Sequence, residues 1–231
     1  RMIHERRLLP TEIGVCFLGR DSYEACRYIA HRYYQPQPVP DSETGETRTK
    51  KDEVGSDKRY CFWIPPVDAS RPYSVRVVEG AINAMALADL LARESSFFHD
   101  GGPENALILT TGGVAMREWM KNPQPMKMIQ AAVAAGARLT MIGEWESAST
   151  PEKLAKKLKD IRAARENVCA DFLTEFGRPI EVVMPPKGMG DVGDMVEAEM
   201  RERIALESAA ENTAVDIPPV MTTQYPQAAQ V

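Results

Sequence analysis

The sequence predicts an α/β protein, a parallel sheet of about four strands flanked by helices and preceded by a small antiparallel β meander. Three observations predict it. From Ser74 onward, short apolar runs alternate with helical stretches, the pattern of βαβ units. Most of those runs stop at a glycine or an acid, as strand ends do. Before Ser74 the apolar runs are rich in aromatic and β-branched residues and are separated by turns rather than helices.

The elements follow in order. Residues 13–18 read as a strand that ends at the turn Gly19-Arg20-Asp21-Ser22, and residues 25–34 mix aromatics with basic side chains as a second. Residues 35–57 carry three prolines, two glycines and many charges, and are expected to be a long polar loop. Residues 59–64 read as a further strand, stopped by Pro65-Pro66. Residues 75–78 form the next, ending at Glu79-Gly80. A helix over 81–93 follows, with Ile82, Met85, Ala86 and Leu90 on one face. Residues 106–111 are a strand ending at Gly112-Gly113. A short helix from Val114 and another over 125–135 lead to a strand over 138–142, which ends at Gly143-Glu144. Ser149-Thr150-Pro151-Glu152 is a capping box, and Leu154, Leu158, Ile161, Val168 and Phe172 make the stripe of a long helix closed by Gly177. Residues 179–184 are the fourth strand of the sheet. The expected organisation is a β-rich part over 1–72, an α/β domain over 73–210 and a flexible tail over 211–231, where Pro, Thr, Gln and Ala dominate.

Composition narrows the function. The 231 residues are 44% hydrophobic and 26% charged, the balance of a globular chain. No apolar run approaches the roughly 20 residues that span a bilayer, and no signal peptide opens the chain, so a cytoplasmic protein with no membrane partner is expected. The chain starts at Arg1 rather than methionine, which is expected of a piece of a longer protein. A net charge of −5 argues against a whole-molecule electrostatic DNA binder and leaves room for a local basic surface. Cys16, Cys26, Cys61 and Cys169 stand singly, as do His4, His31 and His99, so no zinc site is expected and the thiols are read as buried in a reducing cytosol.

Ligands of open parallel sheets bind beyond the carboxyl ends of the strands. Those ends hold Glu79-Gly80, Thr110-Thr111-Gly112-Gly113, Gly143-Glu144-Trp145-Glu146 and a glycine-rich run containing Asp191 and Asp194. Each acid has an ordinary explanation alone: a solvated turn, or a helix N-terminus for Asp191 and Asp194. Gathered at one edge they repel, and a hard cation such as magnesium is the natural partner, leaving waters for a phosphate-bearing substrate.

In this order the residues resemble a family. Val75 through Ala86, an apolar strand, then Glu-Gly, then a helix, looks like the first motif of the TOPRIM domain shared by topoisomerases and primases. Thr110-Thr111-Gly112-Gly113-Val114 is similar to the family's second strand end. Glu144-Trp145-Glu146 falls where the family has Asp-x-Asp, and Asp191-Val192-Gly193-Asp194 falls at its last acidic stretch. Gly19-Arg20-Asp21, Arg32 and the run 55–60 resemble the segment before TOPRIM in plasmid mobilisation and primase-like proteins. The resemblance implies a TOPRIM-like sheet and Mg²⁺- or Mn²⁺-dependent nucleic-acid processing, by primase-like nucleotidyl transfer or phosphodiester cleavage and joining, in mobile-element DNA metabolism. It implies Glu79 as general acid or base, and Glu144, Glu146 and Asp191 as metal ligands. Arg20, Arg27, Arg32, Lys58 and Arg59 would hold the nucleic acid, expected to be DNA. Further domains of the same polypeptide, or other DNA-processing proteins, would be partners. Glutamates replace both aspartates of the pair, Asn83 stands where the family has Asp, and Ser149 where it has glycine. The alternative is therefore a catalytically degenerate module that binds DNA or a protein. Trp145, between the two glutamates, reads as a lid, a stacking platform or a plug.

Overall fold

The computed structural model describes residues 7–38, 47–92, 104–111, 122–145 and 150–214. An antiparallel sheet comes first, with strands β1 (Leu8–Thr11), β2 (Gly14–Arg20), β3 (Cys26–Pro38) and β4 (Thr47–Asp52) in the order β1-β2-β3-β4. Asp21 builds its central turn. One carboxyl oxygen accepts the Tyr23 and Ala25 N–H groups at 2.9 and 3.0 Å, and the other accepts Arg27 Nε at 2.7 Å. Phe17 turns inward and meets Phe62 edge-on at 5.1 Å.

The polar stretch 35–57 is not one long loop. Gln35 to Pro38 prolong β3, and β4 pairs with it from Ala30↔Asp52 to Pro38↔Thr47. β4 is an edge strand whose polar and charged side chains are compatible with solvent on that side, so it needs no apolar alternation. The expected strand over 59–64 also divides. Asp57 accepts the Arg59 N–H at 3.0 Å and caps a single 3₁₀ turn over Lys58–Tyr60. Only β5 (Trp63–Ile64) is extended, and it joins the second sheet rather than the meander.

The second sheet contains β6 (Ser74–Val78), β7 (Ala106–Thr110), β8 (Leu139–Ile142) and β9 (Glu181–Val183), all parallel, with β5 antiparallel against β7. Its order is β5-β7-β6-β8-β9. The α/β class and the four parallel strands flanked by helices are as the sequence predicts. Helices α1 (Ala81–Ala92), α2 (Pro123–Ala134) and α3 (Pro151–Phe176) connect the strands. Apolar side chains alternate between two cores, as the pleat requires. Val78 and Ile108 pack with α1, Phe17 and Phe62, whereas Val75, Val77, Leu107 and Leu109 pack with Ile129 of α2 and Phe172 of α3. Both faces are covered, so the strands read as continuous apolar runs. The exception is Arg76 in β6. It is 1% exposed and forks onto Glu104, with Nη2 at 2.7 and 2.8 Å from the two carboxyl oxygens.

Two helical faces differ from the expected ones. In α1 the buried residues are Ala81, Asn83, Ala84, Leu87, Leu90 and Leu91, and Ile82 points outward at 45% exposure. The helix is apolar nearly all round, so its periodicity gives the face poorly. In α3, Thr150 caps the start by accepting the Lys153 N–H, and Gly177 ends it with a left-handed φ of 64°. Only Ala164, Val168 and Phe172 of that helix are buried, and Leu158 in its first half is 42% exposed. The expected short helix from Val114 lies outside the described residues. Of the four cysteines, Cys16 and Cys61 are buried as expected and Cys169 partly so, but Cys26 is exposed at the start of β3.

Helix α4 (Val192–Ala214) begins in the first core with Val192 and Met195. Residues to Val196 belong to one compact unit, and those from Glu197 form a second, in which Arg201 pairs with Glu197 at 3.0 Å. Among the described residues no helix is long and apolar enough to cross a membrane.

Candidate active site

The strand order fixes where a site can form. From β6 the chain crosses to β7 on one side, then returns past β6 to β8 on the other. The boundary between β6 and β8 is thus a topological switch point, where a crevice opens beyond the strand ends. In the β6–β8 register Val77 faces Met141. Two and three residues further on stand Glu79 and Glu144, at the same edge.

Backbone contacts hold both acids in place. The Glu79 carbonyl accepts the Thr111 N–H at 3.2 Å and its hydroxyl at 3.3 Å. Around Glu144, Gly143 donates to the Val183 carbonyl at 2.9 Å and Trp145 donates to that of Gly190 at 2.6 Å. A side chain at Gly143 would collide with Met184, whose sulfur lies 2.4 Å from where a Cβ would stand.

Glu79 and Glu144 line the same cavity. Burial first, then the neighbouring Glu79 carboxyl and the charge of Asp191, push the Glu144 carboxyl up to about 8. Asn83 opposes the shift by donating from Nδ2 to Glu144 Oε1. At neutral pH Glu144 therefore keeps its proton when no cation is near. Asp191 accepts the Asp194 N–H at 3.1 Å, a helix-capping contact at the start of α4, and borders the same crevice. Asp194 turns back to accept the Gly190 N–H at 2.6 Å.

Glu79, Asn83, Glu144 and Asp191 line a cavity of about 210 Å³ together with Arg32 and Lys50 of the antiparallel sheet. A neighbouring cavity of about 300 Å³ shares Arg32, Lys50 and Glu79 and adds Lys51 and Lys58. Of the five basic residues expected from sequence, Arg32 reaches the acids, and Lys58 lines the second cavity while pairing with Asp52 at 3.5 Å. The other three engage their own turns. Arg20 donates to the Glu24 carbonyl at 2.5 Å, Arg27 pairs with Asp21 at 2.7 Å, and Arg59 with Asp57 at 2.5 Å. Lys50 went unnoticed because it lies in the stretch that reads as a loop. Glu146 lies outside the described residues.

The donor set suits a hard cation. Three carboxylates border one cavity, and one of them carries a proton that a cation would displace. Among the described residues no three acids are drawn into a ready-made cage. Magnesium needs only one or two carboxylates and completes its shell with water and substrate oxygens.

No family model matches the chain, and no curated protein does. Similar solved structures exist. A DNA primase domain from Pseudomonas aeruginosa is 17% identical, with 88% of this chain and 57% of that one covered at a TM-score of 0.47. The E. coli primase catalytic core is 15% identical, with 86% and 55% covered at 0.46. A DnaG primase catalytic domain bound to single-stranded DNA is 17% identical, with 91% and 57% covered at 0.42. The chain thus spans little more than half of each, and likeness at this level carries no activity from those proteins to this one.

Proposed function

We propose that this chain is a divalent-metal-dependent nucleic-acid-processing module of TOPRIM type. Its reaction is primase-like nucleotidyl transfer or phosphodiester cleavage and joining, on DNA, in mobile-element metabolism in a reducing cytoplasm. The observation that carries the reading is that Glu79, Glu144 and Asp191 line one cavity with Arg32 and Lys50 at the switch point. Acids and cations lining one cavity match a substrate whose phosphates meet the cations and whose reacting oxygen meets the acids.

In this reading Glu144, Glu146 and Asp191 hold Mg²⁺ or Mn²⁺, and Glu79 moves the proton of the attacking sugar hydroxyl or of the leaving oxygen. The bound ion supplies charge stabilisation at the phosphoryl oxygens. Arg32 and Lys50 orient the backbone phosphates, with Lys51 and Lys58 extending the track. Asn83 keeps Glu144 turned into the cavity. The β-rich part up to residue 72 supplies the cations, and the α/β part from residue 73 supplies the acids.

The protonated Glu144 favours a second reading. A carboxyl that is neutral by itself persists without metal, as in a degenerate module that only binds DNA or a protein. A turnover assay on primed and unprimed single strands with Mg²⁺ or Mn²⁺ separates the two. The enzyme reading expects activity that Glu79→Gln abolishes without lowering the melting temperature. Strand binding with no turnover under either ion would leave the binding module.

A further inference from the structure

Trp145 and the first half of α3 leave a second feature beside the acids. The Trp145 ring is 48% exposed, yet its indole N–H is pinned to the Pro185 carbonyl at 2.9 Å, so a flat apolar face is held at fixed orientation. It borders an open groove of about 850 Å³ between α3 and the β8–β9 edge, floored by Leu158 and Val182 at 42% and 38% exposure. Lys159, Arg162 and Arg165 rise along it from α3 at intervals of three residues, about 4.5 Å of helix each. None of the three has an acidic partner among the described residues, although Glu166 stands nearby. Arg165 donates to the Glu144 carbonyl at 3.5 Å and to the Met184 sulfur at 3.1 Å, and its buried Nε–H has no acceptor among the described residues. Glu144 belongs to both this groove and the carboxylate cavity.

We infer that this groove is a second strand-binding track, in which one base of a single-stranded nucleic acid stacks on Trp145 while its phosphates lie along Lys159, Arg162 and Arg165. The chemistry is that of a sequence-tolerant single-strand binder, an aromatic platform beside a row of cations. An aromatic face alone would suit a protein segment; three cations without acidic partners suit a polyanion. Glu144 lines both the groove and the carboxylate cavity, so a strand lying in the groove comes to the acids. This rests on the nucleic-acid reading above and adds a track lined by α3 to the cavity lined by Arg32 and Lys50.

The test uses the whole chain and a fluorescein-labelled oligothymidylate, read by anisotropy at several salt concentrations. Trp145→Ala should weaken binding roughly ten-fold, and Trp145→Phe should retain most of it. The double variant Lys159→Ala/Arg162→Ala, at exposed positions, should weaken binding and reduce the salt slope by about 1.4, two single-strand phosphate contacts. Wild-type affinity and slope in the double variant would overturn the track, as would a wild-type chain that binds no oligonucleotide at low salt. The two proposals fail separately. If Glu79→Gln abolishes turnover while the groove variants bind normally, the track falls alone. If the groove variants lose affinity while Glu79→Gln leaves turnover intact, the catalytic assignment falls and the track stands.

Discussion

The two sheets reach the same cavity by opposite means. The inner strands of the parallel sheet, β6, β7 and β8, are buried and mostly apolar. Their freedom for polar chemistry lies beyond the strand ends, where Glu79 and Glu144 stand. The antiparallel sheet carries charge on its strands, with Arg32 in β3 and Lys50 and Lys51 in β4. Burial forces acids to a rim of one sheet and cations lie along the strands of the other, so the site is acidic where the backbone is most constrained and basic where it is least so.

The largest expected effect tests the acidic rim. Glu79→Gln should lower turnover by roughly 10²–10⁴-fold, the range lost with a general acid or base, with strand affinity nearly unchanged. Equal loss from Lys50→Ala would erase the distinction between the acids and the cations. Next comes the inside of the parallel sheet. Glu104→Ala leaves Arg76 buried without its carboxylate and should cost about 3–5 kcal/mol by denaturant unfolding. The counterpart on the antiparallel sheet is small. Lys51→Ala breaks the pair with Glu53 at 3.3 Å, at the surface, and should change stability by less than about 1 kcal/mol.

Between those extremes lies a pH effect on the acidic rim. The folded Glu144 carboxyl titrates near 8, above its ordinary value of 4.5. The folded chain then binds more protons than the unfolded chain between those values. The stability of the ion-free protein is accordingly full below pH 4.5 and falls as pH rises toward 8. Melting curves across that window should show the fall, and Glu144→Gln should flatten it. A stability that rises over the same window would contradict the buried Glu144 carboxyl.

How much of this was legible follows from the same contrast. The parallel strands, the cap at Thr150 and the acids at the strand ends could be read because burial on both faces and helix termini leave strong sequence signals. β4 could not. Thr-Arg-Thr-Lys-Lys-Asp has no apolar alternation, and its strand conformation comes from pairing with β3. Lys50 lies in β4, and Arg20, Arg27 and Arg59 each also engage a neighbouring turn. The buried face of α1 was misread because Ala, Leu and Met surround that helix, so its neighbours decide which side turns inward.

The central claim is that Glu144 holds a proton beside Glu79 that a divalent ion replaces. Mn²⁺ titration by calorimetry at pH 7, repeated in buffers of different ionisation enthalpy, counts the protons released on binding. The account predicts one ion bound at millimolar concentration or below, with close to one proton released, and loss of that binding in Glu144→Gln. Binding with no proton release, or unchanged in Glu144→Gln, would contradict it.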